Sequence, residues 1–225
     1  MKTQTNNSSN ITPSEMFFTG ILLAFTGGFL DAYTYILRGN VFANAQTGNI
    51  VLLGINIANG NISKVIYYFV PILAFAFGIF LTDIIKRNFS IKKLIHWRQI
   101  VIMFEIIILF IIGFLDNTIP NLFVNVSISF VCALQVASFR KLAGLGYATT
   151  MCTGNLRSSI DKLSTFIFEK DKNALFEGLL YLAIIIMFIF GAAIGTILIK
   201  IISYSAIWIC CIALIFVFII LKEEK

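Results

Sequence analysis

Thr47-Gly48-Asn49 and its copy Thr153-Gly154-Asn155 are the stretches that decide how this chain is organised. Each copy follows an apolar stretch that carries a polar residue, and each begins a short segment of helical character. A tripeptide that recurs in equivalent surroundings indicates two copies of one structural unit. In membrane proteins built from repeats, the binding site lies where the repeats meet. The two tripeptides therefore predict the position of a binding site.

The composition indicates a membrane protein rather than a soluble one. The chain has 225 residues, of which 59% are hydrophobic and 12% charged, against roughly 25% charged in soluble domains. A soluble domain of this length has too little interior for so much apolar surface, so the bilayer must take it. The apolar runs are long enough for helices rather than barrel strands, which predicts an all-α polytopic membrane protein.

Hydropathy predicts six membrane-spanning helices and two shorter segments. The six apolar runs are each close to the ~20 residues that a spanning helix needs, and they lie at 16–37, 64–85, 99–116, 120–139, 175–199 and 203–221. The shorter and more polar segments, 41–59 and 145–160, contain the two tripeptides. Residues 1–15 and 222–225 are predicted to be cytoplasmic tails, the first of them disordered, on either side of a single membrane domain at 16–221.

Loop charge predicts the topology, because basic loops stay in the cytoplasm. The loop after the second run is the most basic and is placed inside, with both termini on the same side. The basic stretch at 157–172 is also inside only if segment 145–160 enters and leaves the membrane by the cytoplasmic face. Segment 41–59 is then predicted to enter and leave by the outer face. Three spans per half then make 16–116 and 120–221 an inverted 3+3 repeat. Eight full spans are the alternative.

The net charge of +6 is spread over short loops between apolar runs rather than collected on a soluble face. A nucleic-acid partner is therefore not expected. The expected partners are the lipid bilayer and an unknown small solute or ion. A homo-oligomer would follow if the GxxxG pattern Gly191–Gly195 were used between chains.

The alignment of the two halves pairs an acid with an amide. Residues 30–35 match 134–139 in character, so that Asp31 corresponds to Gln135. A two-residue insertion in the second half then brings the two Thr-Gly-Asn copies into register.

Motifs from both halves resemble those of a known family: Gly28-Phe29-Leu30-Asp31-Ala32 before Thr47-Gly48-Asn49, and Leu134-Gln135-Val136-Ala137 before Ala148-Thr149-Thr150-Met151-Cys152-Thr153-Gly154. In combination these motifs resemble the YoaK family of bacterial multi-pass membrane proteins, from about Phe17 to Leu221. The resemblance implies six helices and the bacterial plasma membrane, and it supplies no biochemical function.

The tripeptides predict two half-helices that direct their N-termini at the middle of the membrane. Thr47 and Thr153 are typical helix N-caps, Gly48 and Gly154 allow close approach, and Asn49 and Asn155 would contact a ligand. Helix N-termini carry partial positive charge and free N–H groups, which suit an anion, a carboxylate or a polar solute. The alternative is that the tripeptides only cap two helices and pack tightly.

Asp31 is the most informative single residue, because a carboxylate deep inside an apolar run costs about 3 kcal/mol and faces a cavity or a partner. It could bind a proton or a cation, or pair with a half-helix, and Gln135 would be its neutral counterpart. A structural, hydrogen-bonded aspartate is the alternative. Tyr35, Asn44, Gln46 and Glu105 are candidates for a polar path.

The predicted function is that of a small-solute transporter or channel with a site between two inverted repeats. A membrane binding, scaffold or sensor protein that does not transport is the alternative. An enzyme is not expected, because the sequence offers no paired nucleophile and base, no metal-ligand cluster and no cofactor motif.

Overall fold

Eight α-helices make up most of the chain in the computed structural model, which describes residues 12–89, 96–147, 149–150 and 152–223. The helices are α1 (Phe17–Leu37), α2 (Gln46–Ala58), α3 (Ile62–Phe89), α4 (Trp97–Ile112), α5 (Asn121–Ser138), α6 (Cys152–Glu169), α7 (Lys172–Ile202) and α8 (Trp208–Ile220). A hairpin of strands β1 (Lys141–Leu142) and β2 (Leu145–Gly146) precedes α6. The predicted all-α fold of a multi-pass membrane protein is confirmed at this level.

Four stretches of the described chain are long and apolar enough to cross a membrane: Phe17–Leu37, Ile62–Asn88, Asn121–Ser138 and Lys172–Glu223. The last stretch contains two helices, α7 and α8, joined by the 3-10 turn Ser203–Ile207. Helix α4 occupies the third predicted run but has only 16 residues. Helices therefore form at all six predicted runs, and four stretches meet the length and composition of a span.

The N-terminal segment is ordered just before α1. Pro13–Glu15 form a 3-10 helix in which Ser14 is buried, and the backbone N–H of Ala143 donates to the Glu15 carbonyl over 2.8 Å. The predicted disordered tail thus includes an ordered turn at its end, while residues 1–11 lie outside the described residues. At the C-terminus, Leu221–Glu223 form a 3-10 turn, and residues 224–225 are likewise outside.

One end of the molecule is built around Arg38, and we call it the Arg38 end. The Arg38 guanidinium is fully buried and donates to the carbonyl of Asp116 over 2.8 Å. The Tyr67 hydroxyl donates to the carbonyl of Arg38 over 2.6 Å. These bonds bring together the end of α1, the start of α3 and the loop between α4 and α5.

We call the opposite end the basic end, because Lys86, Arg98, Arg140 and Lys141 line one cavity there. Arg98 Nε donates to the Ser138 carbonyl over 3.0 Å, which joins the start of α4 to the end of α5. Helix α1 consequently runs from the basic end to the Arg38 end, whereas α5 runs in the opposite direction.

The helices pack in pairs that match between the two halves of the chain. Helix α1 packs against α7, and α5 packs against α3. In the same way α2 contacts α3 as α6 contacts α7, and α1 contacts α8 as α5 contacts α4. Helices α4 and α8 pack against each other. Each main pairing therefore has a counterpart when α1–α4 are matched with α5–α8.

A two-residue left-handed turn occurs at the same position in each half. Gly39 and Asn40 have φ of 83° and 62°, and Ala143 and Gly144 have φ of 50° and 81°. The first pair follows Asp31, and the second follows Gln135, at the same spacing along the chain. Left-handed backbone disfavours most side chains, so a turn of this kind in register is a specific likeness between the halves.

Small residues let α1 and α7 cross in close contact. A Cβ atom at Gly28 would lie 1.9 Å from the Phe188 carbonyl oxygen, and one at Gly191 would lie 2.0 Å from that of Phe25. Gly195 faces Phe29 of α1 in the same contact. The GxxxG pattern of α7 is thus occupied within the chain.

Candidate functional site

A cavity of about 700 Å³ lies where the N-termini of α2 and α6 come together, and we call it the central cavity. Both tripeptides reach its wall, through Thr47 in one half and through Thr153 and Gly154 in the other. Helices α3 and α7 supply much of the apolar wall, including Phe75 and Phe188, and Ile36 of α1 and Val136 of α5 add to it. The volume falls within the ~300–1,000 Å³ of small-molecule sites. The cavity therefore lies where the two tripeptide-bearing helices begin, and its volume is that of a small-molecule site.

The central cavity gathers part of the predicted set of site residues. Its wall includes Asp31, Thr47, Thr153 and Gly154, together with Tyr35, Asn44 and Gln46 from the predicted polar path. Gly48, Asn49, Gln135, Asn155 and Glu105 are not among the described residues of that wall.

Asp31 is buried and holds the loop that precedes α2. Its Oδ1 accepts from the backbone N–H of Asn44 over 2.8 Å, and the backbone N–H groups of Ala43 and Ala45 lie near enough to interact with the carboxylate. The Asn44 side chain in turn donates to the Gly27 carbonyl over 3.1 Å. A carboxylate at this place offsets the partial positive charge at the start of α2. These hydrogen bonds match both the pairing of Asp31 with a half-helix and the alternative of a structural aspartate.

The prediction that Thr47 and Thr153 are helix N-caps is wrong. Helix α2 begins at Gln46 after the N-cap Ala45, with no side-chain cap bond, and α6 begins at Cys152, one residue before Thr153. The side chain that binds backbone N–H groups just before α2 is Asp31, which belongs to α1. Spacing along the sequence could not indicate this contact between two helices. Both threonines therefore lie in the first turn of their helices, at the cavity wall.

Asn49 fastens α2 to the loop before it. Its side-chain amide donates to the Phe42 carbonyl over 2.6 Å and to Gln46 Oε1 over 2.9 Å. Its Oδ1 accepts from the Phe42 N–H over 3.2 Å, and the residue is fully buried. Asn155 is also buried and lines a smaller adjoining cavity instead. The first asparagine thus has a structural role, as the alternative interpretation of the tripeptides expected.

Gln135 repeats the role of Asp31 without its charge. Its Nε2 donates to Thr149 Oγ1 and to the Leu23 carbonyl, each over 3.2 Å. Thr149 lies just before α6, as the residues bound by Asp31 lie just before α2. The halves therefore share a polar tether to the half-helix and differ in that only the first tether is an acid.

Glu105 lies apart from the central cavity, within the packing of α4. It is fully buried, and neither carboxyl oxygen has a hydrogen-bond partner among the described residues. Among the residues that the structure describes, no group of three or more His, Cys, Asp or Glu side chains could hold a metal ion. Glu105 therefore does not line the central cavity among the described residues, and a polar path through it stays a prediction.

Two further cavities adjoin the central one towards the basic end. A cavity of about 470 Å³ shares Ile79, Val136 and Gly154 with the central cavity. A third, of about 480 Å³, shares Ile79 and Arg140 with the second and extends to the basic end. Neighbouring cavities therefore share wall residues from the α6 N-terminus to the basic end.

Aromatic rings stand on the side of the central cavity that faces the Arg38 end. Tyr35 and Phe42 both line the wall there and stack with ring centroids 4.9 Å apart. The adjoining cavities thus lie away from this pair, towards the basic end.

Several residues of the central cavity wall were not predicted from the sequence. Thr150 stands three residues before Thr153, as Asn44 stands three before Thr47, so the repeat itself was the signal that could have found it. Phe75, Phe188 and Thr196 lie in long apolar helices whose sequence does not distinguish the cavity side from the lipid side.

Comparisons with known proteins confirm the resemblance to the YoaK family that the sequence motifs indicated. Residues 19–220 match the DUF1275 family, described as "Protein of unknown function". The chain is similar to the UPF0700 transmembrane protein YoaK of Bacillus subtilis (strain 168), with 27% identity over 181 residues, which cover 77% of this chain and 79% of that protein. No solved structure matches the chain.

Proposed function

Because this chain belongs to the DUF1275 family, whose function is not established, we propose from its site that it is a small-solute transporter or channel. The observation that carries the proposal is that the N-termini of two helices, one from each half, converge on one cavity of about 700 Å³. Transporters of several folds bind their substrates between half-helices of this kind. The solute would bind in the central cavity.

The proposal takes the two halves to be an inverted repeat of three spans each, with α2 and α6 as re-entrant half-helices. The matched helix pairings and the opposite directions of α1 and α5 support this arrangement. The left-handed turns at Gly39 and Ala143 add a local likeness. In the proposed membrane orientation, the basic end faces the cytoplasm of a bacterial plasma membrane, because basic loops stay inside.

The shape of the central cavity suggests which conformation this is. The adjoining cavities lie towards the basic end, and the stacked pair of Tyr35 and Phe42 stands towards the Arg38 end. With the basic end in the cytoplasm, this is an inward-facing state of an alternating-access cycle. Movement of the loop before α2, which carries Phe42, would open the opposite side.

Flux through reconstituted liposomes tests the proposal. Cys152 is half-buried at the cavity wall, whereas Cys132, Cys210 and Cys211 are buried elsewhere. We expect the protein to speed the osmotic swelling of liposomes for at least one class in a panel of solutes graded by size and charge. A bulky methanethiosulfonate on Cys152 should stop that flux by filling the cavity.

The matched control is Cys152→Ser, which should support the same flux and should not be inhibited by the methanethiosulfonate. Swelling no faster than in protein-free liposomes for every solute would contradict transport. Saturable solute binding without flux would favour the alternative of a sensor or binding protein. We assign no catalytic role to the cavity.

A further inference from the structure

The third cavity, of about 480 Å³ at the basic end, has an excess of positive charge in its wall. The described wall carries two acidic side chains, Glu15 and Asp83. Asp83 already has a cation beside it, because its Oδ2 accepts from Arg87 Nε over 2.8 Å. Four basic side chains line the same cavity, those of Lys86, Arg98, Arg140 and Lys141.

The β1–β2 hairpin places two of these cations at the cavity. Arg140 directly precedes the hairpin and Lys141 begins it. The Arg140 carbonyl accepts from the Tyr147 N–H over 3.1 Å, and the Ala143 N–H donates to the Glu15 carbonyl over 2.8 Å. Both cations are exposed, and neither forms an ion pair with any residue that the structure describes. The hairpin thus holds a guanidinium and an ammonium group at the cavity wall.

The other two cations lie against Trp97, the first residue of α4. Lys86 Nζ lies 5.9 Å and the Arg98 guanidinium carbon 4.8 Å from the centroid of the Trp97 ring. Tryptophan is enriched where a membrane meets water, and basic residues collect on the cytoplasmic side of that boundary. Trp97 and its cations therefore suit the headgroup level of a bilayer.

One side of the same cavity is apolar and continues onto the surface of α3. Ile79 and Phe80 line the cavity, and Phe80 is 63% exposed. Helix α3 belongs to a stretch that is long and apolar enough to cross a membrane. A small soluble anion would leave this apolar side uncovered, whereas the chains of a phospholipid would cover it.

The chain segments that adjoin this wall and lie outside the described residues bring no acid to it. Residues 1–11 and 90–95 contain three lysines and neither Asp nor Glu. Both segments therefore add to the positive charge of the basic end.

We propose that the third cavity binds the headgroup of an anionic phospholipid. The phosphate would lie between Lys86, Arg140 and Lys141, and the acyl chains would follow α3 past Phe80. Basic pockets between membrane helices recognise acidic headgroups, and the excess of positive charge disfavours the cationic group of a zwitterionic lipid. The inference goes beyond the proposed function, because it does not require transport. A headgroup here leaves the second cavity, whose wall includes exposed Gly146, beside it.

Tryptophan fluorescence tests the inference, because the two tryptophans of the chain lie at opposite ends. Trp97 lines the third cavity, whereas Trp208 packs against Phe114, beside the loop that Arg38 binds. Trp208→Phe leaves Trp97 as the reporter, and Trp97→Phe leaves Trp208. Each full-length variant would be reconstituted with phosphatidylglycerol or phosphatidylcholine brominated in the upper acyl chains, and quenching measured against the mole fraction of brominated lipid.

Trp97 should report a preference for phosphatidylglycerol of at least about fivefold in the apparent binding constant, which is the scale of one basic residue's attraction to anionic lipid. Trp208 should report no preference. Arg140→Gln combined with Lys141→Gln should abolish the preference at Trp97. Arg140→Lys combined with Lys141→Arg keeps both charges and should retain it, which separates lost charge from misfolding.

The matched control is Lys170→Gln combined with Lys172→Gln, which removes the same charge where α6 meets α7, outside the described cavity wall. It should leave the preference unchanged. Equal quenching of Trp97 by the two lipids would overturn the inference. An equal loss of preference in both glutamine variants would also overturn it, since that result indicates general attraction to a charged surface. Both results would leave the proposed function of the central cavity standing.

Discussion

At the scale of single residues, the central feature is a carboxylate that binds backbone N–H groups across two elements. Asp31 belongs to α1, yet its partners lie in the loop before α2. It therefore does from a neighbouring helix what an N-cap does locally, while Thr47 stays at the cavity wall. Gln135 makes the equivalent tether before α6 without charge.

Asp31→Asn should destabilise the protein by about 1–3 kcal/mol, because it replaces a charged acceptor of buried N–H groups with a neutral amide, whose NH2 has no acceptor there. The measurement is unfolding of the detergent-solubilised protein by denaturant. The matched control is Asp83→Asn, which breaks an exposed 2.8 Å ion pair with Arg87 and should cost less than about 1 kcal/mol. Equal effects of the two variants would show that Asp31 does not hold the loop.

The sequence identified those residues whose side-chain chemistry is unusual for their surroundings. An acid inside an apolar run needs a partner, so Asp31 was recognisable. The N-caps were not, because a threonine before a helix is only one of several groups that can bind the first N–H donors. Asn49 has the right character for a ligand contact, but its partner is the Phe42 backbone, which only the folded loop brings near.

At the scale of elements, close helix contacts fix the wall of the cavity. Helix α7 supplies Phe188, Ala192 and Thr196 to that wall, and it is held against α1 by the contact of Gly28 with the Phe188 backbone. Helix α6 is tied to α7 by a bond from Ser159 Oγ to the Gly178 carbonyl over 2.9 Å. A hydrogen-bonded ion pair with Glu177 of α7 raises the pKa of Lys162 and adds to this tie.

Gly28→Ala should destabilise the protein by about 1–3 kcal/mol, because the added methyl would overlap the Phe188 backbone and force α1 and α7 apart. Gly54→Ala is the matched control in α2, where a Cβ would meet no atom within 4 Å. It should be neutral or stabilising by up to about 1 kcal/mol, since alanine is the better helix former. Denaturant unfolding compares the two, and equal stability would contradict the close crossing.

The helices themselves were predictable from hydropathy, whereas their pairing was not. Each long apolar run became a helix within a few residues of its predicted bounds. The hairpin at Lys141–Gly146 was missed, because it depends on a left-handed turn at Ala143 and Gly144, and alanine is not a usual sign of such a turn. The packing of α1 on α7 and of α3 on α5 depends on contacts between the halves.

At the scale of the whole molecule, the two similar halves differ at the starts of α2 and α6, so the central cavity presents different surfaces to the basic end and to the Arg38 end. The tethers differ in charge. Phe42 packs against Gly48 at the start of α2, whereas a Cβ at Gly154 of α6 would meet no atom of the described residues within 4 Å. A symmetric pair of half-helices would offer the same surface to both faces of the membrane. In this conformation, the two cavities that share wall residues with the central one or with each other lie towards the basic end.

Access to Cys152 tests this account most directly, since it requires no knowledge of the solute. The measurement is the rate at which a membrane-impermeant thiol reagent modifies Cys152 in sealed right-side-out and inside-out vesicles. We predict fast modification in inside-out vesicles, through the cavities at the basic end, and slow modification from the other face. A Cys152 that reacts from neither face, but reacts once the protein is unfolded, would contradict a solute cavity open to the cytoplasm.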